Sequence, residues 1–378
     1  MKITVVGTGY LGLAQAALLS RKAEIAVIPT ETPDLSGADS DFSQYLTEQT
    51  LQRMLQPDEA AAFCGADAVV IASRVYYDAE LNHYDTLEVE KYLSLALRYA
   101  KDAEIILRSD VPVGFTQRMN ARLDRPRIRY SPDFAREGRA FYDSFHPARI
   151  IVGETGEAGQ RIASLFCPEG VQPEILLMGA TEAESVKLFA NSYLAMRVAF
   201  FNELDTFAAL RGLQAEQIIR GVSSDPRVGD LYNNPSFGYG GRYLTEGTAK
   251  LKANFMGVPQ KIAGMVEDAN EVRKDFIAQS ILKQSPKTVG IFRMNIKTGS
   301  KDFRYSSVEG VMKRLQAGGV KVLVYEPMIR LDRFLSAEVL HDLPQFKKEC
   351  DLILANRMDD ALADVADKVF TRDLFRRD

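Results

Sequence analysis

Short apolar runs alternate with amphipathic stretches through the first half of the chain. Ile3–Val6, Ile25–Ile28, Ala68–Ile71, Ile105–Leu107 and Ile150–Val152 read as strands, and Leu11–Ser20 and Val89–Ala100 as helices between them. That alternation predicts a doubly wound parallel sheet. After Ile28 the pattern breaks. Thr30-Glu31-Thr32-Pro33-Asp34-Leu35-Ser36-Gly37 is turn chemistry where a crossover helix is expected, so that element reads as shortened or lost. From Thr181 the period changes. Thr181 and Glu184 read as a capping box, and apolar residues recur at helical spacing through Val186, Phe189, Tyr193, Met196, Phe200 and Phe207, with Gly212 placed as a C-cap. A helix of that length spans roughly 45 Å, enough to connect domains and offer a dimer face. From Thr288 the alternation resumes with strands at Val289–Phe292, Val320–Tyr325 and Leu352–Ala355, and a helix over Ser307–Gln316 stopped by Gly318-Gly319. The expected fold class is α/β: two Rossmann-like doubly wound parallel-sheet domains joined by a long central helix. The expected boundaries are 1–180, 181–280 and 281–378.

Composition narrows the function classes. Lys plus Arg is 47 and Asp plus Glu is 51, a net charge of −4, which gives no case for a nucleic-acid partner. No apolar run approaches the roughly 20 residues that span a bilayer, and no secretory signal precedes the first strand. Cys64, Cys167 and Cys350 are odd in number and far apart, and His83, His146 and His341 are the only histidines. Neither a disulfide framework nor a metal site is expected. The expectation is a cytoplasmic protein that works without a metal.

Gly7-Thr8-Gly9-Tyr10-Leu11-Gly12 follows the first strand and opens a helix, the context that a dinucleotide-binding loop requires. Glycines there let the backbone approach a pyrophosphate at the helix N-terminus. An NAD site also wants an acid at the end of the second strand, to accept from the ribose hydroxyls. That strand reads Glu24-Ile25-Ala26-Val27-Ile28-Pro29, so Pro29 holds the acidic position. Losing a charged hydrogen bond costs roughly 1.5–3 kcal/mol. NAD binding is expected to be weak or lost, unless Glu31 swings in as a substitute. NADP is no better served, because no Arg or Lys follows the strand until Arg53.

Read with later segments, the loop gains a context. Gly7–Gly12, Tyr130-Ser131-Pro132-Asp133-Phe134-Ala135-Arg136-Glu137, Lys187-Leu188-Phe189-Ala190-Asn191, Asn202-Glu203, Asp225-Pro226-Arg227, Tyr232–Gly241 and Asn356-Arg357-Met358 resemble the UDP-glucose 6-dehydrogenase family nearly from end to end. The resemblance implies an NAD-binding N-terminal domain, a central helix that forms a homodimer, and a C-terminal domain that binds UDP. It implies two oxidations of the sugar C6, through an aldehyde and a thioester on a cysteine. That family's motif runs Gly-Tyr-Gly-Gly-x-Cys-Leu-Pro-Lys-Asp. Here it reads Gly238-Tyr239-Gly240-Gly241-Arg242-Tyr243-Leu244-Thr245-Glu246-Gly247. Tyr243 stands for the nucleophilic cysteine and Gly247 for the assisting aspartate. A thiolate adds to the aldehyde, and the hemithioacetal donates the second hydride; a phenol, with a pKa of about 10 and a large ring, does not replace it. Tyr243 reads as the plug of an unused pocket or as the seat of new chemistry.

Further positions follow from the resemblance. Asp110 replaces a threonine that would orient reacting groups, or is a helix cap or surface acid. Ser73-Arg74-Val75 replaces Thr-Pro-Thr beside the cofactor. Asp133 and Glu137 keep the two carboxylate positions. Lys187 and Asn191 share a helix face that can address a sugar and its phosphate. Arg227, Tyr232, Asn233, Asn234, Phe237 and Gly238 are assigned to the sugar nucleotide, and Arg304 to the cofactor side. The expectation is a protein that binds a UDP-sugar, UDP-glucose first, without completing the oxidation, in a regulatory or partner role in sugar-nucleotide or polysaccharide metabolism. Two alternatives stand beside it. One is an enzyme repurposed for a UDP-hexose or UDP-hexuronate through Asp110, Glu137 or Tyr243. The other is an active NAD-dependent dehydrogenase.

Overall fold

Five apolar strands of the N-terminal half line up in the computed structural model. They are β1 (Lys2–Val6), β2 (Glu24–Ile28), β3 (Ala68–Ile71), β4 (Glu104–Leu107) and β5 (Ile128–Tyr130), in the order β2-β1-β3-β4-β5. Every neighbouring pair is parallel, with Ile3 opposite both Ile25 and Ala68. The structure describes residues 1–33, 39, 42–79, 81–124, 126–136, 138–294 and 303–377, with Arg304 by its backbone alone. The chain divides into two units, Met1–Phe189 and Ala190–Asp378.

In the first unit, helix α1 (Tyr10–Leu19) buries Leu13, Ala16 and Leu19, while Val5, Val70 and Ile106 are fully buried on the strands. Such strands carry continuous Val/Ile runs because helices cover both faces of a parallel sheet. Strand order reverses between β1 and β3, so the crevice at their C-terminal ends is the ligand position of this architecture. The connection from β2 to β3 includes the expected turn, of which 34–38 lie outside the described residues. Helices α2 (Glu48–Met54) and α3 (Glu59–Phe63) lie in this connection, capped by Thr47, which accepts from the Thr50 amide, and by Asp58, which accepts from the Ala61 amide. The strand expected at Ile150–Val152 exists as β6 (Arg149–Val152), but outside the main sheet. It pairs in parallel with β7 (Glu174–Leu177) in a two-stranded sheet. The first unit also carries helices α4 (Leu87–Tyr99) and α5 (Phe115–Asn120).

The long helix is α6 (Ala180–Arg211), and Gly212 follows it at φ +68°, the left-handed turn a C-terminal glycine supplies. Its start differs from the expected capping box. Thr181 lies inside the helix, and Glu184 instead caps α5, accepting from the Gly114 and Thr116 amides and the Thr116 hydroxyl at 2.5, 2.9 and 2.7 Å. A carboxylate there satisfies donors that α5 leaves open at its own N-terminus.

The second unit holds α7 (Arg242–Asn254), α8 (Ile262–Leu282), α9 (Ser307–Ala317) and a six-stranded sheet. Its strands are β8 (Thr288–Phe292), β9 (Lys321–Tyr325), β10 (Arg333–Phe334), β11 (Ala337–Val339), β12 (Leu352–Leu354) and β13 (Val369–Phe370). The order is β10-β11-β9-β8-β12-β13, parallel except at β10, where a short antiparallel turn closes the edge. Here too the order reverses, between β8 and β12. No helix among the described residues is long and apolar enough to cross a membrane.

Candidate active site

The glycine loop closes tightly on the ends of the first unit's strands. The Gly7 amide donates to the Ile28 carbonyl at 3.1 Å, and the Ala72 amide donates to Val6 at 2.8 Å. Gly7 has φ +129°, and a Cβ there would stand 2.7 Å from the Ala72 carbonyl oxygen, so only glycine fits between β1 and β3. Gly9 caps α1 with no side-chain hydrogen bond, leaving the helix N-terminus without an internal acceptor. Tyr10 and Leu11 begin the helix, and Gly12 lies against the Gly7 carbonyl. Beside the loop, the Ser73 hydroxyl is buried without a hydrogen-bond partner among the described residues. A cradle that a Cβ would fill, an open helix N-terminus and an orphaned hydroxyl fit a pyrophosphate and its ribose. Pro29 offers no side-chain acceptor at the strand end. Glu31 is folded back onto the loop: its amide and carbonyl both bond the Thr8 hydroxyl, at 3.2 and 2.5 Å.

The carboxylates divide by environment. Asp133 is buried, accepting from Arg108 at 3.1 Å, Gln15 at 2.8 Å and the Ala135 amide at 2.8 Å. Burial pushes its pKa up, but the charges of Arg108 and Lys187 and those hydrogen bonds outweigh burial and hold it below the ordinary value. A carboxylate so committed positions its loop and is a poor proton acceptor. Its own carbonyl receives the Lys187 ammonium, which is buried and lies 5.4 Å from the Phe134 ring centroid. Asp110 is half-buried after β4. Its charge adds to burial in pushing the Tyr130 phenol well up. Glu137 and the Arg304 side chain lie outside the described residues, as does 295–302.

In the second unit, Asn191 sits on α6 one turn beyond Lys187 and faces the second turn of α7. A Cβ on Gly247 would come within 3.2 Å of the Asn191 Cβ, and Ser192 donates to the Gly247 carbonyl at 3.1 Å. Position 247 is a helix-helix contact with no room to spare. Tyr243 lies in the first turn of α7, whose N-cap Gly241 gives no side-chain bond. Glu246, one turn on, is buried and receives Arg242 at 2.8 Å, Lys250 at 3.1 Å and the Tyr305 hydroxyl at 2.8 Å. Burial lowers the Arg242 pKa, but Glu246 more than offsets it. This cluster is not among the positions expected from the sequence. Its signal was Arg, Glu and Lys at four-residue spacing, which on most helices marks a solvated face.

The loop assigned to the sugar nucleotide is largely engaged within its own unit. Asn233 donates to Ser223 and Asp230 and accepts from Arg377, while Asn234 donates to Asp373 and accepts from the Leu374 and Phe375 amides. Phe237 is in the core with its amide on Asn356, and Gly238 lies against Asn270. Tyr232 is half-buried at φ +54°. Arg357 donates to the Pro235 carbonyl, so the end of β12 holds this loop in place. Arg227 is exposed and paired with Asp225 at 2.6 Å. Among the described residues no cluster of His, Cys, Asp or Glu could hold a metal.

Comparison with known proteins agrees with this layout. The NAD binding domain of the UDP-glucose/GDP-mannose dehydrogenase family matches residues 1–168, its central domain 181–272 and its UDP binding domain 290–376. The chain is 39% identical to UDP-glucose 6-dehydrogenases of Streptococcus pneumoniae and of Campylobacter jejuni, over the full length of each pair. A UDP-glucose dehydrogenase structure from Pyrobaculum islandicum superposes with a TM-score of 0.82 at 21% identity, covering 94% of this chain and 89% of that one, and so shares its fold. With the glycine cradle, the long helix and the second doubly wound sheet all in the expected order, the chain belongs to the UDP-glucose/GDP-mannose dehydrogenase family.

Proposed function

We propose that this protein binds a UDP-sugar, UDP-glucose first, and does not carry the C6 oxidation through to the uronate. The observation that carries this reading is the start of α7. Tyr243 stands in the thiol position, and Glu246, in the motif's lysine position, is tied into a buried ion cluster. At Gly247, where the family has an aspartate, a Cβ would stand 3.2 Å from the Asn191 Cβ, so a side chain there needs Asn191 to give way. The second unit's one cysteine, Cys350, does not rescue the thiolate step: it is buried in the core and its thiol is pushed up to about 12, first by burial. NAD, when bound, supplies a hydride acceptor. Without a thiol adduct, no hemithioacetal forms to give up the second hydride.

The assignments that go with this reading are residues 1–180 as the NAD-binding-type domain, 181–280 as the central region and 281–378 as the UDP-binding-type domain. Lys187, Asn191, Arg227 and Tyr232 contact the sugar nucleotide. NAD is held through Gly7, Gly9 and Gly12, more weakly than by a chain with an acid in place of Pro29. Two copies pair through α6, and the protein serves as a regulatory or partner component of sugar-nucleotide and polysaccharide metabolism.

The test is product analysis with UDP-glucose and excess NAD. We expect no UDP-glucuronate, and none from Tyr243→Cys alone, because Glu246 and Gly247 remain. Two reduced cofactors per sugar from the unmodified protein would make it an active dehydrogenase and end this reading. An epimer or a free aldehyde would turn attention to Asp110 and Glu137.

A further inference from the structure

No acid stands at the end of the second strand, where Pro29 follows Ile28, and the next carboxylate along the chain is Glu31. We infer that Glu31 is the ribose-binding carboxylate of this chain and sets its preference for NAD over NADP. This inference rests on the reading that the glycine loop still takes a dinucleotide. A Cβ built on Gly9 would lie 3.1 Å from Glu31 Oε1, so the carboxylate stands at the middle glycine of the loop, where a dinucleotide comes closest to the backbone. It is held there by the main chain. The Thr8 hydroxyl donates to the Glu31 carbonyl at 2.5 Å and accepts from the Glu31 amide at 3.2 Å, so residue 31 is stitched to the loop it serves. The neighbouring acid Glu88 registers the same charge: burial first, then Glu31, pushes its pKa up.

Chemistry decides what such a carboxylate recognises. Pro29 has no side-chain acceptor, and Thr30 to Pro33 contain no Arg or Lys to balance a 2′-phosphate. A carboxylate accepts from vicinal ribose hydroxyls and repels a phosphate in their place. The two-residue displacement follows from the proline. Pro29 ends β2 without an N–H, the chain turns, and the next acid returns over Thr8.

The full chain serves for the experiment. Titration calorimetry with NAD and with NADP compares the unmodified protein, Glu31→Gln and the double variant Pro29→Asp/Glu31→Gln. Glu31→Gln keeps both main-chain bonds to Thr8 and removes only the charge. We expect it to weaken NAD by about tenfold or more, to narrow the NAD-to-NADP ratio by a similar factor, and to leave UDP binding unchanged. Pro29→Asp in that background should recover most of the NAD affinity. Unchanged NAD affinity in Glu31→Gln overturns the inference. Tighter NAD also overturns it, and would make Glu31 an occluding carboxylate. No NAD binding by the unmodified protein overturns it too, while the UDP titration in the same series judges the proposed function separately.

Discussion

A buried charge is tolerated only while its partners are in place, and two single residues make that testable here. Glu246 pairs with both Arg242 and Lys250, and all three are nearly or fully buried. Removing one partner of a buried pair costs about 3–5 kcal/mol. Glu246→Gln should therefore lower unfolding free energy by roughly 3 kcal/mol in denaturant titration. A loss below about 0.5 kcal/mol would place the cluster among weak surface pairs. Asp133 gives a pH signature. Its folded pKa is depressed, so its contribution is full above the ordinary carboxylate value and is lost as pH falls through the depressed one. Asp133→Asn should destabilise the protein at neutral pH and flatten its stability profile below about pH 4. An unchanged acid limb would exclude Asp133 from the titration.

At the scale of an element, α6 presents more apolar surface than the described chain covers. Tyr193, Phe200 and Phe207 are 54%, 57% and 54% exposed, seven residues apart from one to the next, which places them along one stripe of the helix. Side chains of that size seldom stay exposed in a row unless a partner covers them. Phe200→Glu with Phe207→Glu should convert a dimer to a monomer in sedimentation experiments and leave the helical circular dichroism intact. Monomer at all concentrations in the unmodified protein would remove the dimer from the proposal. The same stripe carried the helix in the sequence, where its period was plain. The helix start departs from the expected capping box because Thr181 and Glu184 satisfy only a local spacing rule, whereas Glu184 finds better donors at α5, some seventy residues earlier in the chain.

For the whole molecule, ligand linkage is the broadest check. A UDP-sugar that binds only the native state raises the melting temperature by mass action. UDP-glucose should do so, and Lys187→Ala should abolish the increment even though the variant itself melts lower for want of the bond to the Asp133 carbonyl. An increment that survives in Lys187→Ala would move the sugar elsewhere. The sequence by itself determined the alternation of strands and helices, the glycine loop, the long helix and the family. Those rest on local periods, turn residues and contiguous motifs, and local rules are written in adjacent residues. Tertiary structure alone decided which polar residues are committed. It buried Asp133 under Arg108 and gave Asn233 and Asn234 to the C-terminal tail. It also gathered Arg242, Glu246, Lys250 and Tyr305 into one cluster. It returned Glu31 to the glycine loop past a strand end where the acid was missing. A carboxylate's role depends on its burial and on the charges around it, and those come from residues distant in sequence that only the folded chain brings together.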